Sequence, residues 1–197
     1  LGMSGRIEFS NSLSKHTRAY FKFTKIQLNF DDIRKFGFVK LISNDCLDNE
    51  LNKLGPDALN MDKKLYLLVS QRGQNSKVAI KKFLLNQKNI SGIGNIYVNE
   101  ILFISKINPK KKAKSLSDND CINIIKYSRK ILNLAIKKGG SSIRDFKNIV
   151  GKNGSFQDNF KVYNRENKSC LSPGCKGTIK KKFITNRSTF FCNICQK

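Results

Sequence analysis

Hydrophobic and polar positions follow two different periods along the chain. Over residues 1–43 the pattern is strand-like. Arg6-Ile7-Glu8-Phe9 is a short alternating run, Thr17 to Phe23 mixes aromatics with polar positions, and Ile26-Gln27-Leu28-Asn29-Phe30 alternates cleanly. Asp31-Asp32 then predicts a turn, and Phe36 to Ile42 a further strand. Beyond Gly55-Pro56, a pair that breaks regular structure, the period changes to that of helices. Helices are predicted over Asp62 to Arg72, Val78 to Asn86, Asn95 to Ile104 and Ser117 to Lys138. The last of these is best marked. Ser117 and Asp120 form a capping-box-like start, and Cys121, Ile124, Ile125, Ile131, Leu132 and Ala135 make an apolar stripe that Gly139-Gly140 ends. From about residue 151 the chain is rich in Gly and Asn and then carries closely spaced cysteines, and no internal repeat is present.

Length and composition narrow this picture. The chain has 197 residues, 39% of them hydrophobic, enough for one large domain or two small ones with a real core. No apolar run reaches the roughly 18 residues of a membrane span, and the opening residues lack a signal-peptide layout, so a secreted or transmembrane protein is not expected. Net charge is +24, from 38 basic and 14 acidic residues. Residues 1–109 carry 17 basic and 9 acidic groups, whereas residues 110–197 carry 21 and 5. The 30 Lys against 8 Arg suit an AT-rich genome, but that bias does not explain the shortage of acids. A polyanion partner does, and nucleic acid is favoured over a membrane surface because no segment reads as a basic amphipathic interfacial helix.

Cys170, Cys175, Cys192 and Cys195 form C-x4-C, sixteen intervening residues, then C-x2-C. Two close pairs separated by a hairpin-length segment suit one tetrahedral Zn2+ in a closed structural site. Two disulfides are the alternative; with no secretion signal and two further cysteines unpaired, zinc is preferred. Those two, Cys46 and Cys121, read as small core residues. Lys180-Lys181-Lys182 and Arg187 lie between the cysteine pairs and are candidate phosphate contacts.

Ser91-Gly92-Ile93-Gly94-Asn95 places two glycines directly before a helix, where free backbone amides and the helix dipole favour an anion and Asn95 adds a side-chain donor. A plain interhelical turn is the commoner use of such a pattern. The context is basic, with Lys77 and Lys81 four apart, a spacing that puts both on one face of the preceding helix.

These segments together resemble one known family. Asn89 to Phe103, with Gly92-Ile93-Gly94-Asn95-Ile96-Tyr97 and Glu100, resembles the helix–two-turns–helix motif of the formamidopyrimidine-DNA glycosylase and endonuclease VIII family, and the cysteine tail ending Cys192-Asn193-Ile194-Cys195-Gln196-Lys197 resembles its zinc finger. Leu1 to Gly5, Lys15-His16, Asp32 to Gly37 and Leu54-Gly55-Pro56 match further blocks in the same order, so the similarity covers essentially the whole chain. It implies an α+β fold: part of an N-terminal β-sandwich over residues 1–55, a helix–two-turns–helix domain over 56–150, and a lesion-capping loop with a zinc-finger β-hairpin over 151–197.

The resemblance implies excision of oxidised bases from damaged double-stranded DNA, followed by strand cleavage by β,δ-elimination. The lesion is flipped out of the stack, and Met3, Arg34 and Phe36 match the residues that fill the hole. His16, Lys77 and Asn95 match phosphate-holding positions, Lys81 and Arg34 join them as candidate DNA contacts, and Arg187 matches the zinc-finger arginine assigned to δ-elimination. Gly151 to Phe156 resembles the loop that closes over the flipped base. Arg34-Lys35-Phe36 is closer to the formamidopyrimidine branch, which favours 8-oxoguanine and formamidopyrimidines as substrates, although Lys35 replaces an arginine common there. The implied setting is a bacterial cytoplasmic, nucleoid-associated monomer with one zinc ion and no membrane contact.

One departure bears on activity. The family's nucleophile is an N-terminal proline amine followed by a glutamate, whereas this chain opens Leu1-Gly2 and its prolines, Pro56, Pro109 and Pro173, are internal amides. The family's N-terminal lysine is missing too. The expectation is a chain beginning inside the β-sandwich and inactive as it stands. Alternatives are a non-catalytic zinc-dependent DNA-binding module, an endonuclease VIII-like glycosylase for oxidised pyrimidines, and an RNA- or ribosome-associated zinc ribbon.

Overall fold

The structure is a computed structural model that describes residues 1–2, 4–60, 63–142 and 153–197. It divides into two compact units. One comprises Leu1–Ser43 with Leu134–Asn159, the other Asn44–Asn133 with Phe160–Lys197.

The first unit is built on three antiparallel strands, β1 (Gly5–Phe9), β2 (Thr17–Lys22) and β3 (Gln27–Asp32), in the order β1-β3-β2. Ile7 faces Phe30 across one pair and Ala19 faces Phe30 across the other, with a register shift between Thr17 and Ala19. Only the central strand is buried, over Asn29–Asp32. Phe9, Tyr20, Phe21 and Phe23 are all exposed.

The fourth strand predicted over Phe36 to Ile42 does not form; residues 36–43 are irregular. The reason lies in Asp32. Its carboxylate accepts hydrogen bonds from the backbone N–H of Gly37 (2.7 Å) and of Arg34 (3.2 Å) and from the Ser4 hydroxyl (2.6 Å), which coils the chain into a loop after β3. Asp31 and Asp32 are thus the buried end of β3 and not an exposed turn. Later in this unit, Ser155 N–H donates to Lys138 O and Phe156 N–H to Gly140 O, and Phe156 is buried. Gly154 is required there, since a Cβ would fall 2.2 Å from Gly140 O.

The second unit holds α1 (Leu47–Leu51), α2 (Lys63–Gln74), α3 (Ile80–Leu85), α4 (Asn95–Ile104), most of α5 (Asp118–Lys137), and the hairpin β4 (Ile179–Ile184) and β5 (Arg187–Cys192). Helix α4 is the centre: Val98 to Phe103 are buried without a break, the pattern of a helix enclosed on all sides. Ile80, Phe83 and Leu84 of α3 are buried with it. Residues 78–79 were expected to be helical but are extended. Ala113 N–H donates to Val78 O, Ile80 N–H donates to Lys111 O, and Ala79 forms a bridge with Lys112. The pairing holds this stretch extended and delays the helix to Ile80. At α5, Ser117 Oγ accepts from Asp120 N–H and Asp120 accepts from Ser117 N–H, both at 3.1 Å, the reciprocal capping box read from the sequence.

The cysteine tail is not a separate body. Val162, Cys170, Ile179, Phe190 and Cys192 form one apolar cluster with Phe103 at the end of α4. Cys46 is exposed, so it is not the core residue expected; it precedes a five-residue helix with no buried side chain. Cys121 is half-buried on α5, against Val69 and Ile124.

Candidate metal centre and nucleic-acid interface

The strands β4 and β5 pair in register from Ile179–Cys192 to Ile184–Arg187. They are joined through Thr185 and Asn186, both at positive φ (49° and 56°), the conformation that matches the twist of a two-residue hairpin. That turn places Arg187 exposed at the hairpin tip. The opposite end carries the cysteines. Cys170 and Cys195 Sγ lie 3.7 Å apart, Cys175 and Cys192 Sγ lie 3.6 Å apart, and all four sulfurs fall within 4.8 Å of one another. Sulfurs bound tetrahedrally at about 2.3 Å from one ion stand roughly 3.8 Å apart, so the donor set has the size of a single four-coordinate centre. Without a cation, ionising these thiols together is unfavourable. Burial and the neighbouring Cys192 sulfur push the Cys195 thiol up to about 12. A divalent cation held by Cys170, Cys175, Cys192 and Cys195 would remove that conflict.

A buried polar frame ties this hairpin to the helices. Lys81 is fully buried and donates to Ser188 O at 2.7 Å and Thr189 Oγ1 at 2.8 Å. Burial, reinforced by the nearby Arg187 charge, lowers its ammonium to about 7. Asn99 accepts from Phe190 N–H at 2.8 Å. Gln196 accepts from Cys192 N–H and donates to Ile107 O. Glu100, 2% exposed, accepts three consecutive backbone N–H groups, from Lys161, Val162 and Tyr163, at 2.8–3.1 Å. Burial pushes its carboxyl up, against the pull of those three donors.

The two-glycine turn lies where predicted, immediately before α4. Gly92 has φ +89°, a conformation favouring glycine, but its N–H donates to Gln87 Oε1 and is not open to an anion. Asn95 turns its amide toward the hairpin and donates to Ser188 O at 3.3 Å, while its buried Oδ1 has no partner among the described residues. Lys77 is exposed, but it precedes α3. Lys81 therefore does not share an exposed helix face with it. The expectation of Lys81 as a surface phosphate contact is corrected: its ammonium is buried and spent on the Ser188 carbonyl and the Thr189 hydroxyl of β5.

In the strand unit, His16 is half-buried in the turn before β2, and its carbonyl accepts from Asp32 N–H. The Arg34 guanidinium lies 4.8 Å from the centre of the exposed Phe36 ring. Both sit on the loop that Asp32 gathers, with Lys35 between them at φ 58°. Asp32 is held down to about 2, chiefly by the Ser4 hydroxyl and the Gly37 N–H. Met3, Gly151 and Lys152 lie outside the described residues.

Sequence reasoning missed Lys81, Asn99 and Gln196 as bracing groups, and saw Glu100 only as part of a motif. A signal was available for two of them. Asn99 and Glu100 interrupt an otherwise apolar helix, and a polar residue enclosed by a core must find partners.

Residues 54–147 match the family described as the formamidopyrimidine-DNA glycosylase H2TH domain. A formamidopyrimidine-DNA glycosylase of Roseobacter denitrificans is 38% identical over the whole chain, which covers 74% of that protein. One from Rickettsia conorii is 37% identical with 72% covered, and one from Rhodopseudomonas palustris is 38% identical over 85% of this chain and 59% of its own length. The chain thus spans between about three fifths and three quarters of these relatives. Among solved structures, Lactococcus lactis Fpg in complex with abasic-site DNA superposes over the whole chain with a TM-score of 0.86 at 33% identity, 73% of that chain being covered. The Lactococcus lactis complex with Fapy-dG DNA gives 0.85 at 33%. Agreement of sequence and fold over all 197 residues makes this chain a member of the formamidopyrimidine-DNA glycosylase family.

Proposed function

We propose that the chain works in base excision repair as part of a DNA glycosylase that binds damaged duplex DNA and removes oxidised purines. The observation that carries this reading is the joint at Ser188. Its carbonyl accepts from Asn95, at the start of α4, and from Lys81 on α3, and the residue before it is the exposed Arg187. Turn and hairpin are one rigid piece, and that piece presents a guanidinium suited to a backbone phosphate. The damaged DNA in the Lactococcus lactis complexes supports the choice of ligand.

Within this reading Cys170, Cys175, Cys192 and Cys195 hold one structural zinc ion, which keeps the hairpin folded. Arg187, Asn95, Lys77 and His16 contact phosphates. Arg34 and Phe36, with Met3, occupy the space left by the flipped base. The stack of Arg34 on Phe36 pairs a wedge with a hydrogen-bond donor for the orphaned base. Arg187 also assists δ-elimination by holding the phosphate that leaves. The nucleophile that the family resemblance implies is an N-terminal proline amine, and all three prolines of this chain are internal amides. The reading for residues 1–197 by themselves is therefore binding without cutting by that route.

Borohydride trapping on a duplex containing 8-oxoguanine tests the division between binding and cutting. The chain is expected to retard the duplex in a gel and to give no covalent adduct. A trapped adduct would show a nucleophile within residues 1–197 and overturn the assignment; loss of retardation would overturn the DNA-binding role.

A further inference from the structure

The helical unit contains an open groove that the proposed DNA contacts reach only through Arg187. It runs between the end of α2, α3, the segment after α3 and the tip of the zinc hairpin, and its walls carry Arg72, Lys82, Lys88 and Arg187, with Ser76 and Asn86 between them. No carboxylate lines it. Lys82 and Lys88 are exposed, and none of the four cations forms an ion pair among the described residues. Four neighbouring cations without a counter-charge repel one another, which costs the folded state unless an anion sits among them.

The groove is also built and not merely charged. Arg72 Nη1 donates to Lys88 O at 2.8 Å and to Asn89 O at 3.4 Å, which pins the guanidinium to the groove wall. Those two bonds use one nitrogen of the fork, and a guanidinium has five N–H donors in all. Lys88 N–H donates in turn to Asn86 Oδ1 at 3.1 Å, fixing the loop that carries the lysine. The fourth cation, Arg187, is shared: it lines the groove and is also the predicted lesion-strand contact.

We propose that the Arg72–Lys82–Lys88 groove is a second phosphate subsite, holding backbone phosphates of the same duplex beyond the one at Arg187. This rests on the DNA-binding reading above and extends it. A shared arginine makes the two sites continuous, so one strand can pass from the hairpin tip into the groove. Lys82 and Lys88 supply point charges and Arg72 a fixed fork, a combination that reads charge and spacing but not base sequence.

The test is the salt dependence of binding by the zinc-loaded 197-residue chain to a duplex carrying an abasic-site analogue. Each phosphate contact contributes about 0.9 to the slope of log K against log salt. Lys82→Gln/Lys88→Gln should lower the slope by about 1.8, so that the affinity lost between 50 and 200 mM salt is roughly tenfold smaller than for the parent. Arg72→Gln added to the pair should lower it further. If the parent binds with a steep slope and the double variant keeps that slope, the groove proposal is wrong and the DNA-binding reading stands. If the parent shows no salt-dependent binding, both are wrong.

Discussion

In the helical unit a carboxylate and an amine are enclosed by an apolar core; in the strand unit a carboxylate pair is the buried part while the aromatic side chains lie exposed. Lys81 shares α3 with buried Ile80 and Leu84, Glu100 shares α4 with buried Val98, Ile101 and Leu102, and each ties a distant backbone segment to its helix. Asp31 and Asp32 instead gather hydroxyls, a guanidinium and backbone amides around a sheet whose Phe9, Tyr20 and Phe21 face outward. Packing holds the helical unit and polar groups place the segments it braces. In the strand unit, the polar network itself sets the loop that presents Arg34 and Phe36. The two units should therefore fail under different stresses.

The largest effect is expected at the cysteines. Zinc analysis should give one ion per chain, and Cys192→Ser or a strong chelator should unfold residues 160–197. Metal binding is worth an apparent ~10–16 kcal/mol in small finger peptides. Loss of the hairpin amide signals, with the β1–β3 signals retained, would separate the two units cleanly; an unchanged spectrum after chelation would remove the metal from the account.

Next comes Glu100→Ala, which removes three backbone hydrogen bonds, the one to Val162 N–H fully buried, and should cost about 3 kcal/mol in denaturant unfolding of the helical unit. A loss below about 1 kcal/mol would mean that the segment 161–163 is held by packing alone.

The lowered Lys81 ammonium and the lowered Asp32 carboxyl both make stability rise with pH, in two widely separated windows. The folded Lys81 ammonium is lowered from 10.5 to about 7, so between those values the unfolded chain binds more protons and stability of the helical unit rises with pH. A neutral amine still donates to Ser188 and Thr189. Lys81→Met should flatten that rise and isolate it from the titration of other groups; a slope that survives the substitution would assign it elsewhere.

For the strand unit the sign is set by a depressed carboxyl. Asp32 falls from 3.8 to about 2, so its contribution is complete above about pH 4 and is lost as pH drops through 2. The loop carrying Arg34 and Phe36 should loosen over that window, read from amide exchange at Arg34 and Gly37. Asp32→Asn should show the loosening already at neutral pH. Protection that is the same in both proteins would leave the loop geometry without its proposed cause.

Much of the molecule was legible because its signals are local. Gly94 before Asn95, the Ser117–Asp120 box and the cysteine spacings each mark structure within a few residues, and each lies where it was read. What was not legible depends on partners far along the chain. Residues 78–79 have helical composition but pair with 111–113. Phe36 to Ile42 has strand composition but follows an aspartate that takes the Gly37 amide. Lys81 looked like a surface charge because its partners, Ser188 and Thr189, lie more than a hundred residues away. Two of these misses are tertiary hydrogen bonds overriding a local preference, and the third, at Gly37, is a local side-chain bond that competes with the strand.

Titrating the zinc-loaded chain into a labelled duplex with one abasic-site analogue, across a series of salt concentrations, shows whether the braced turn and the four-cysteine hairpin form a surface for damaged duplex DNA. The account predicts binding whose log K falls linearly with log salt, with a slope of several phosphate contacts, and a weaker complex with Arg187→Ala. Binding that ignores salt and the loss of Arg187, or no binding at all, would contradict it.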